Sequence, residues 1–395
     1  MESHAGLTVD TAATIDLLRT LVSIASVNPV LVPGGPGEAE VARCLAAACE
    51  RLDMAVTVEQ VAPGRPNVVA VLRGSDPDRG RSLLLNGHTD TVGTAGMDHP
   101  FTASLRGDRL YGRGSDDMKG GLAAMVGAVA ALKRARVRPL GDVILAFVAD
   151  EEHASLGTAA VARTGRADAA IVTESTGLRI CVAHKGFVWA TIRTAGRAAH
   201  GSDHATGEDA IFRMGRVLAA LERMDREELP QRSHPLLGRP SVHASLITGG
   251  EGLSTYPPSC ELAIERRTLP DESDDEVRGE LEAVLAGLRR DDPRFQASLE
   301  VPLTRPGLEV ARDSEIVRIL GRAVARRLGA VPEFVGLGAW FDAALLSQAG
   351  MPTVLFGPSG GGAHAAVEYV EVPSVISCAE VLAQTITDFC GVQPA

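Results

Sequence analysis

The chain has 395 residues, enough for two domains and a large buried core. Apolar residues make up 45% and charged residues 23%, ordinary globular proportions that exclude wholesale disorder. The formal charge of −11 excludes the basic footprint of a nucleic-acid binder, while local arginines can still reverse the field in a pocket for a small anion.

Met1-Glu2-Ser3-His4 has neither the basic start nor the apolar stretch of a signal peptide. The longest apolar run, residues 122–132, is too short to span a bilayer. The expectation is a cytoplasmic protein without membrane contact. From about residue 10 to 180, apolar β-rich runs at 67–72, 82–85, 143–148 and 169–172 alternate with helical stretches at 38–52 and 118–135. Continuous apolar strands between helices predict a mostly parallel sheet with helices on both faces, an α/β domain. Residues 29–37 read as a Gly/Pro-rich loop.

From about 184 to 302 the pattern changes. Residues 186–193 alternate like a half-buried strand, and 208–224 have helical spacing with Ile211, Met214, Leu218 and Leu221 on one face. Strand-like runs follow at 241–247 and 260–269, then an amphipathic helix at 274–288 and a last strand at 296–301. Two helices beside a four-stranded antiparallel sheet would make an inserted α+β domain. The first pattern returns from 303 to 395, with a helix at 314–328, a buried strand at 353–356 and a closing helix at 375–389. The chain thus divides into 1–183, 184–302 and 303–395, one α/β domain interrupted by an insert. Six cysteines, at 44, 49, 181, 260, 378 and 390, form no C-x-x-C pair. They suit neither a disulfide framework nor a thiolate zinc site, and read as small buried residues or free thiols.

Residues able to do chemistry collect at the ends of the predicted strands. Asn86-Gly87-His88-Thr89-Asp90 follows the run at 82–85, and His88 and Asp90 point the same way on an extended segment. His88 can bind a metal while Asp90 orients its other ring nitrogen. Gly112-Arg113-Gly114-Ser115-Asp116-Asp117-Met118-Lys119-Gly120-Gly121 leads into the apolar helix. Helix capping accounts for one of its aspartates. It does not account for the glycines, which suggest a tight backbone around a fixed group. Asp150-Glu151-Glu152 ends the run at 143–148, and Glu174 ends the next. Such strand ends are where functional groups gather in open α/β sheets. His364 follows the strand at 353–356 and a glycine-rich turn. Histidine and carboxylate ligands without cysteine suit zinc, or cobalt or manganese, and a two-ion site needs a bridging carboxylate.

These segments resemble the di-zinc metallopeptidases that include aminoacylase, acetylornithine deacetylase, succinyl-diaminopimelate desuccinylase and the carboxypeptidase G type. The resemblance rests on Gly87–Asp90, Gly112–Gly121, Asp150–Glu152, Glu174, Ala199-His200-Gly201, Arg266-Arg267-Thr268-Leu269-Pro270 and Gly357-Pro358…Ala363-His364, all in family order. It implies a hydrolase that releases an amino acid from an N-acyl amino acid or short peptide. His88 and Glu174 would hold one zinc, Glu152 and His364 the other, with Asp117 bridging. Asp90 would orient His88, and Glu151 would be the general base. The insert would be a lid that forms a homodimer, its His200 reaching the partner subunit's site to stabilise the oxyanion. Arg267, rather than its neighbour Arg266, would grip the substrate carboxylate. Ser254 stands three residues before Pro257, where many relatives carry asparagine, and is the other expected substrate contact. Glutamate at 174 accompanies deacylases and carboxypeptidase-like members.

Two other readings compete. Gly357-Pro358-Ser359-Gly360-Gly361 fits the G-x-S-x-G of a serine hydrolase, but His364, the only later histidine, is too close in sequence to approach Ser359 from a separate loop. A non-catalytic relative would be expected to lose ligands or the base, and this chain keeps them all.

Overall fold

The computed structural model describes residues 7–393, so Met1–His4 lie outside the described residues. The chain forms two compact units. The first comprises the described residues up to Val182, Val310–Val335 and those from Phe341 onward; the second comprises Ala183–Glu309 and Gly336–Trp340.

The first unit is built on a mixed sheet. Its strands run in the order Ala55–Ala62, Arg65–Leu72, Val143–Val148, Leu83–His88, Ala169–Val172, Thr353–Leu355 and Ile180–His184. The four from Val143–Val148 to Thr353–Leu355 are mutually parallel. Their residues are buried almost without interruption, which is why they read as unbroken apolar runs rather than alternating ones. The flanks are antiparallel. Ala55–Ala62 and Arg65–Leu72 are joined by Pro63-Gly64 alone, with Gly64 at φ +73°. A two-residue link can make only a hairpin.

Helices Thr11–Ser23, Gly120–Arg134, Glu315–Leu328 and Val372–Cys390 pack together as one set. Ala39–Glu50, Leu156–Thr164 and Ala343–Gln348 pack against the strands as another. Gly120–Arg134 is buried nearly all round, as its uniformly apolar sequence requires. A second, small antiparallel sheet pairs Gly360–Gly361, Tyr369–Glu371, Arg109–Tyr111 and Ser104–Arg106 in that order. No helix among the described residues is long and apolar enough to cross a membrane. No disulfide joins the six cysteines, all among the described residues, and only Cys44 is not fully buried.

The second unit contains an antiparallel sheet ordered Ser241–Gly249, Ser259–Thr268, Gly186–Ala195 and Gln296–Arg305. Burial alternates along Gly186–Ala195 and Ser259–Thr268, so one face is covered. Helices Ala210–Arg223 and Asp274–Asp291 cover it through a core that includes Ile192, Met214, Leu262, Leu281 and Leu285. The expected face of the first helix needs correction. Its buried stripe is Ala210, Arg213, Met214, Val217, Ala220 and Leu221, whereas Ile211 is 42% exposed. Both sets obey the helical period, but the packed face is centred one residue earlier. The stem of Arg213 fills it, and its guanidinium reaches the Ala195 carbonyl and Glu208.

Asp274–Asp291 carries its own start signal, a capping box in which Ser273 and Glu276 each bond the other's backbone N–H. Its inner and outer faces should respond oppositely to alanine. Leu281 is 1% exposed, and Leu281→Ala should cost about 2–5 kcal/mol of stability. Gly279 has open space around it and no backbone need for glycine, so Gly279→Ala should add about 0.5–1 kcal/mol. Denaturant midpoints measure both; destabilisation by Gly279→Ala would mean the helix is placed wrongly.

Candidate metal centre

Four parallel strands end on one edge of the sheet, and the chain's ligand-type residues follow from those ends. His88 closes Leu83–His88, Glu151 and Glu152 follow Val143–Val148, and Glu174 follows Ala169–Val172. His364 lies in the loop after Gly360–Gly361, and Asp117 lies in the loop after Arg109–Tyr111. The small sheet pairs Tyr111 with Tyr369 and Gly361 with Tyr369, which draws those two loops together.

The result is one cluster with two halves. His88, Asp117 and Glu174 form one set of ligating atoms, and Asp117, Glu152 and His364 form the other. Asp117 belongs to both through different oxygens. Its Oδ1 lies 2.9 Å from His88 Nε2, and its Oδ2 lies 3.2 Å from His364 Nε2. Glu174 Oε1 is 3.6 Å from His88 Nε2, and Glu152 Oε2 is 3.1 Å from His364 Nε2. Neither aspartate of the motif caps the helix that follows. The N-cap of Gly120–Arg134 is Lys119, without a side-chain bond, and Asp116 accepts instead from the Ser175 hydroxyl.

The tautomer of His88 follows from its partners. Nδ1 lies 3.0 Å from the Asp90 carbonyl oxygen, which can only accept, so Nδ1 carries the proton. In neutral imidazole, Nε2 then points a lone pair at two carboxylates. That arrangement calls for a positive charge between them, a proton or a cation. The titration directions agree. Burial opposes a charge on His88, but the Asp117 hydrogen bond and the carboxylates of Glu174, Asp117 and Glu151 raise its pKa well above the usual imidazole range. Hydrogen bonds to Asp117 and Glu152 raise His364 to about 10. Burial pushes Glu151 and Glu174 well above the carboxylate range, against the pull of His88. Burial likewise raises Glu152. Asp117 is held low: burial works against its charge, but hydrogen bonds from His364 and His88 prevail. Glu152 Oε1 is buried without a hydrogen-bond partner. Oxygen and nitrogen donors in excess of available protons fit hard or borderline divalent ions such as zinc.

Asp90 orients His88 by a different atom from the one expected. Its carboxylate Oδ1 is 3.6 Å from Nδ1, farther than its own backbone carbonyl. The carboxylate instead accepts from the backbone N–H groups of Glu151, at 3.1 Å, and Glu152, at 3.2 Å. It therefore seats the two neighbouring glutamates. Behind it stands a buried polar chain that no sequence pattern announces. Asn28 Nδ2 donates to Asp90 at 2.8 Å and to Asp150 at 3.0 Å, and Arg65 pairs with Asp150 and Glu38. Asp150 and His364 both take positive φ, +70° and +62°, a conformation that non-glycine residues adopt mainly where the surroundings impose it.

Two further carboxyls give no sign of their role in the sequence. Asp342, preceding a short helix, is buried with both carboxylate oxygens lacking a hydrogen-bond partner, and burial raises its pKa. Glu368 is 1% exposed and grips the Asp117 loop. Neither lies at the end of a long apolar run, the signal that revealed the others. The glycines do mark close approaches. Gly114 takes φ +79°, and a Cβ there would meet Thr91 Cγ2 at 2.6 Å, while one on Gly357 would meet the Glu174 carbonyl oxygen at 2.1 Å.

Ser359 is no nucleophile elbow. A two-residue strand follows it, not a helix, and His364 is engaged by Asp117 and Glu152. His200, Ser254 and Arg267 belong to the second unit. His200 is exposed, its Nδ1 2.8 Å from the Ser202 hydroxyl, and the Ser254 carbonyl accepts from Gly201 N–H. Strand alternation separates the two arginines. Arg266 is fully buried on Glu272, at 2.6 Å, and Glu280, at 3.3 Å. Arg267 keeps part of its side chain exposed, lies over the Phe187 ring and bonds Glu265.

Residues 84–388 match peptidase family M20/M25/M40. The chain belongs to that family. Among relatives of this M20/M25/M40 chain, acetylornithine deacetylase of Myxococcus xanthus is 34% identical over 336 residues, covering 82% of this chain and 84% of its own. N-formyl-4-amino-5-aminomethyl-2-methylpyrimidine deformylase of Halalkalibacterium halodurans is 28% identical, covering 96% and 95%. The fold is shared with a Staphylococcus aureus tripeptidase, at TM-score 0.80 and 18% identity, covering 97% of this chain and 99% of that one. The M20/M25/M40 family is one of metal-dependent hydrolases, and this chain is a hydrolase with a candidate metal site.

Proposed function

We propose that this hydrolase cleaves the amide bond of an N-acyl amino acid or short peptide with two zinc ions per chain, cobalt or manganese being able to substitute. The observation that carries the reading is the division of Asp117, one oxygen toward His88 and Glu174, the other toward His364 and Glu152. In it, His88 and Glu174 hold one ion, Glu152 and His364 the other, and Asp117 bridges. Zinc bound there would lower the pKa of a water to about 7 and polarise the substrate carbonyl. Glu151 takes the proton of the attacking water and passes it to the leaving nitrogen. Asp90 holds Glu151 and Glu152 in register through their backbone N–H groups. Deacylation is favoured by the glutamate at 174 and by relatives named as a deacetylase and a deformylase.

Arg267 grips the substrate carboxylate and Ser254 adds a contact. The two chains of a homodimer join through residues 184–302, and His200 stabilises the oxyanion in the partner's site. Dimerisation is supported by the edge strand Ser241–Gly249, where Leu246 is 73% and Ile247 53% exposed. An unpaired apolar edge is a template for a second chain. Cysteines without disulfides suit a reducing cytoplasm.

Exhaustive chelation should abolish hydrolysis of N-acetyl, N-formyl or dipeptide substrates, and zinc or cobalt should restore it. Glu151→Gln should keep both ions and lose about 10²–10⁴-fold in kcat, whereas Glu152→Gln should lose one ion. Equal metal contents in the two variants, measured by atomic absorption, would contradict this division of roles between the neighbouring glutamates. If Arg267 forms a bidentate clamp, amidated substrates should bind poorly and Arg267→Lys should not rescue, since lysine lacks the planar fork. Equal kcat/KM for acid and amide would contradict the clamp. For His200 the measurement is complementation. His200→Ala and Glu151→Gln should each be nearly inactive and regain activity after subunit exchange. Verified heterodimers that stay inactive would confine His200 to its own chain.

A further inference from the structure

Asp117 and His364 come from loops far apart in sequence, and their side chains meet at 3.2 Å. The small sheet brings the loops near each other, but its strands end before either residue. The last residues are held by a reciprocal grip. From the His364 side, Glu368 extends a buried carboxylate into the other loop. Its Oε2 accepts from Arg113 Nη1 at 2.6 Å and Gly114 N at 3.0 Å; its Oε1 accepts from Asp116 N at 2.9 Å and Asp117 N at 3.1 Å. From the Asp117 side, Arg113 Nη2 donates to the carbonyl of Ala365, the residue after His364, at 2.8 Å. The main chain joins in, with Gly112 N–H donating to the Glu368 carbonyl.

Stability alone does not account for this arrangement. A buried ion pair is weak grounds for stability, because desolvation offsets most of its attraction. In this pair Arg113 Nε is left without a partner, while three of the four bonds to the carboxylate come from backbone N–H groups of the loop leading to Asp117. A carboxylate that takes the N–H of Asp117 itself fixes where that side chain begins. A guanidinium on Ala365 fixes where His364 ends. His88 and Glu174 have no such need, since they follow directly from central strands.

We infer that Arg113 and Glu368 are positioning residues that set the spacing of Asp117 and His364, and so weigh most on the ion shared by Asp117, Glu152 and His364, which takes two of its three ligands from the gripped loops, and less on its neighbour, which takes only Asp117 from them. The inference rests on the two-ion reading above. Its test is stepwise cobalt binding to the metal-free full chain, followed by calorimetry and by visible absorption of the bound ion. Wild type should bind two ions. Glu368→Gln, which turns a donor toward the loop's N–H groups, should weaken one step by about 10–100-fold, as loss of an outer hydrogen-bond partner does, and weaken the other clearly less. Arg113→Met/Glu368→Leu, which removes both charges from the interior, should show the same unequal loss and decides the matter if the single variant does not fold. Equal weakening of both steps, or of neither, overturns the inference and assigns the pair a structural role alone. A wild type that binds fewer than two ions overturns the two-ion reading and this inference with it.

Discussion

One carboxylate is claimed by two imidazoles. Asp117 faces His88 with one oxygen and His364 with the other, and each imidazole also faces a second carboxylate, Glu174 or Glu152. Ionised carboxylates at this spacing repel strongly where they are buried as Glu152 and Glu174 are, so the cluster is tolerable only with positive charge inside it. The carboxyl groups raised by burial and the imidazoles raised by their partners are two expressions of that demand.

The rest of the first unit serves to bring these groups to one place. Parallel strands deliver His88, Glu151, Glu152 and Glu174 to a common edge, where no separate loop design is needed. Asp117 and His364 have no such strand and are brought in by a small sheet. Two buried carboxylates finish the placement, Asp90 on the backbone of Glu151 and Glu152, and Glu368 on the backbone of Asp116 and Asp117. Both use the same device, an acid that gives up its own hydrogen-bonding capacity to hold another acid's main chain. Fully satisfied, such a network fixes a single geometry; half satisfied, it would be costly.

The legible and illegible parts of this architecture differ for physical reasons. Val143–Val148 and Ala169–Val172 stand out in the sequence because strands buried on both faces must be apolar throughout, and their ends then mark Glu151, Glu152 and Glu174. Ala55–Ala62 is mostly exposed, mixes polar with apolar residues, and leaves no such trace. The strands of the small sheet are two or three residues long, below any periodic signal. Asn28, Asp342 and Glu368 act through tertiary contacts that no local pattern encodes. Adjacent Arg266 and Arg267 could be told apart only as far as alternation allows, that one of them faces inward; the partners Glu272 and Glu280 identify Arg266 as that one. Ile211 shows the converse error, an apolar residue with acceptable spacing that the packed face leaves on its rim.

The claim that Asp117 bridges two ions is tested most directly by diffraction at the zinc absorption edge from crystals grown with zinc. The account predicts two anomalous peaks per chain, one bonded to each Asp117 oxygen at about 2.0–2.2 Å, with His88 and Glu174 on the first and Glu152 and His364 on the second. A single peak, or two peaks with Asp117 bonded to neither, would contradict it.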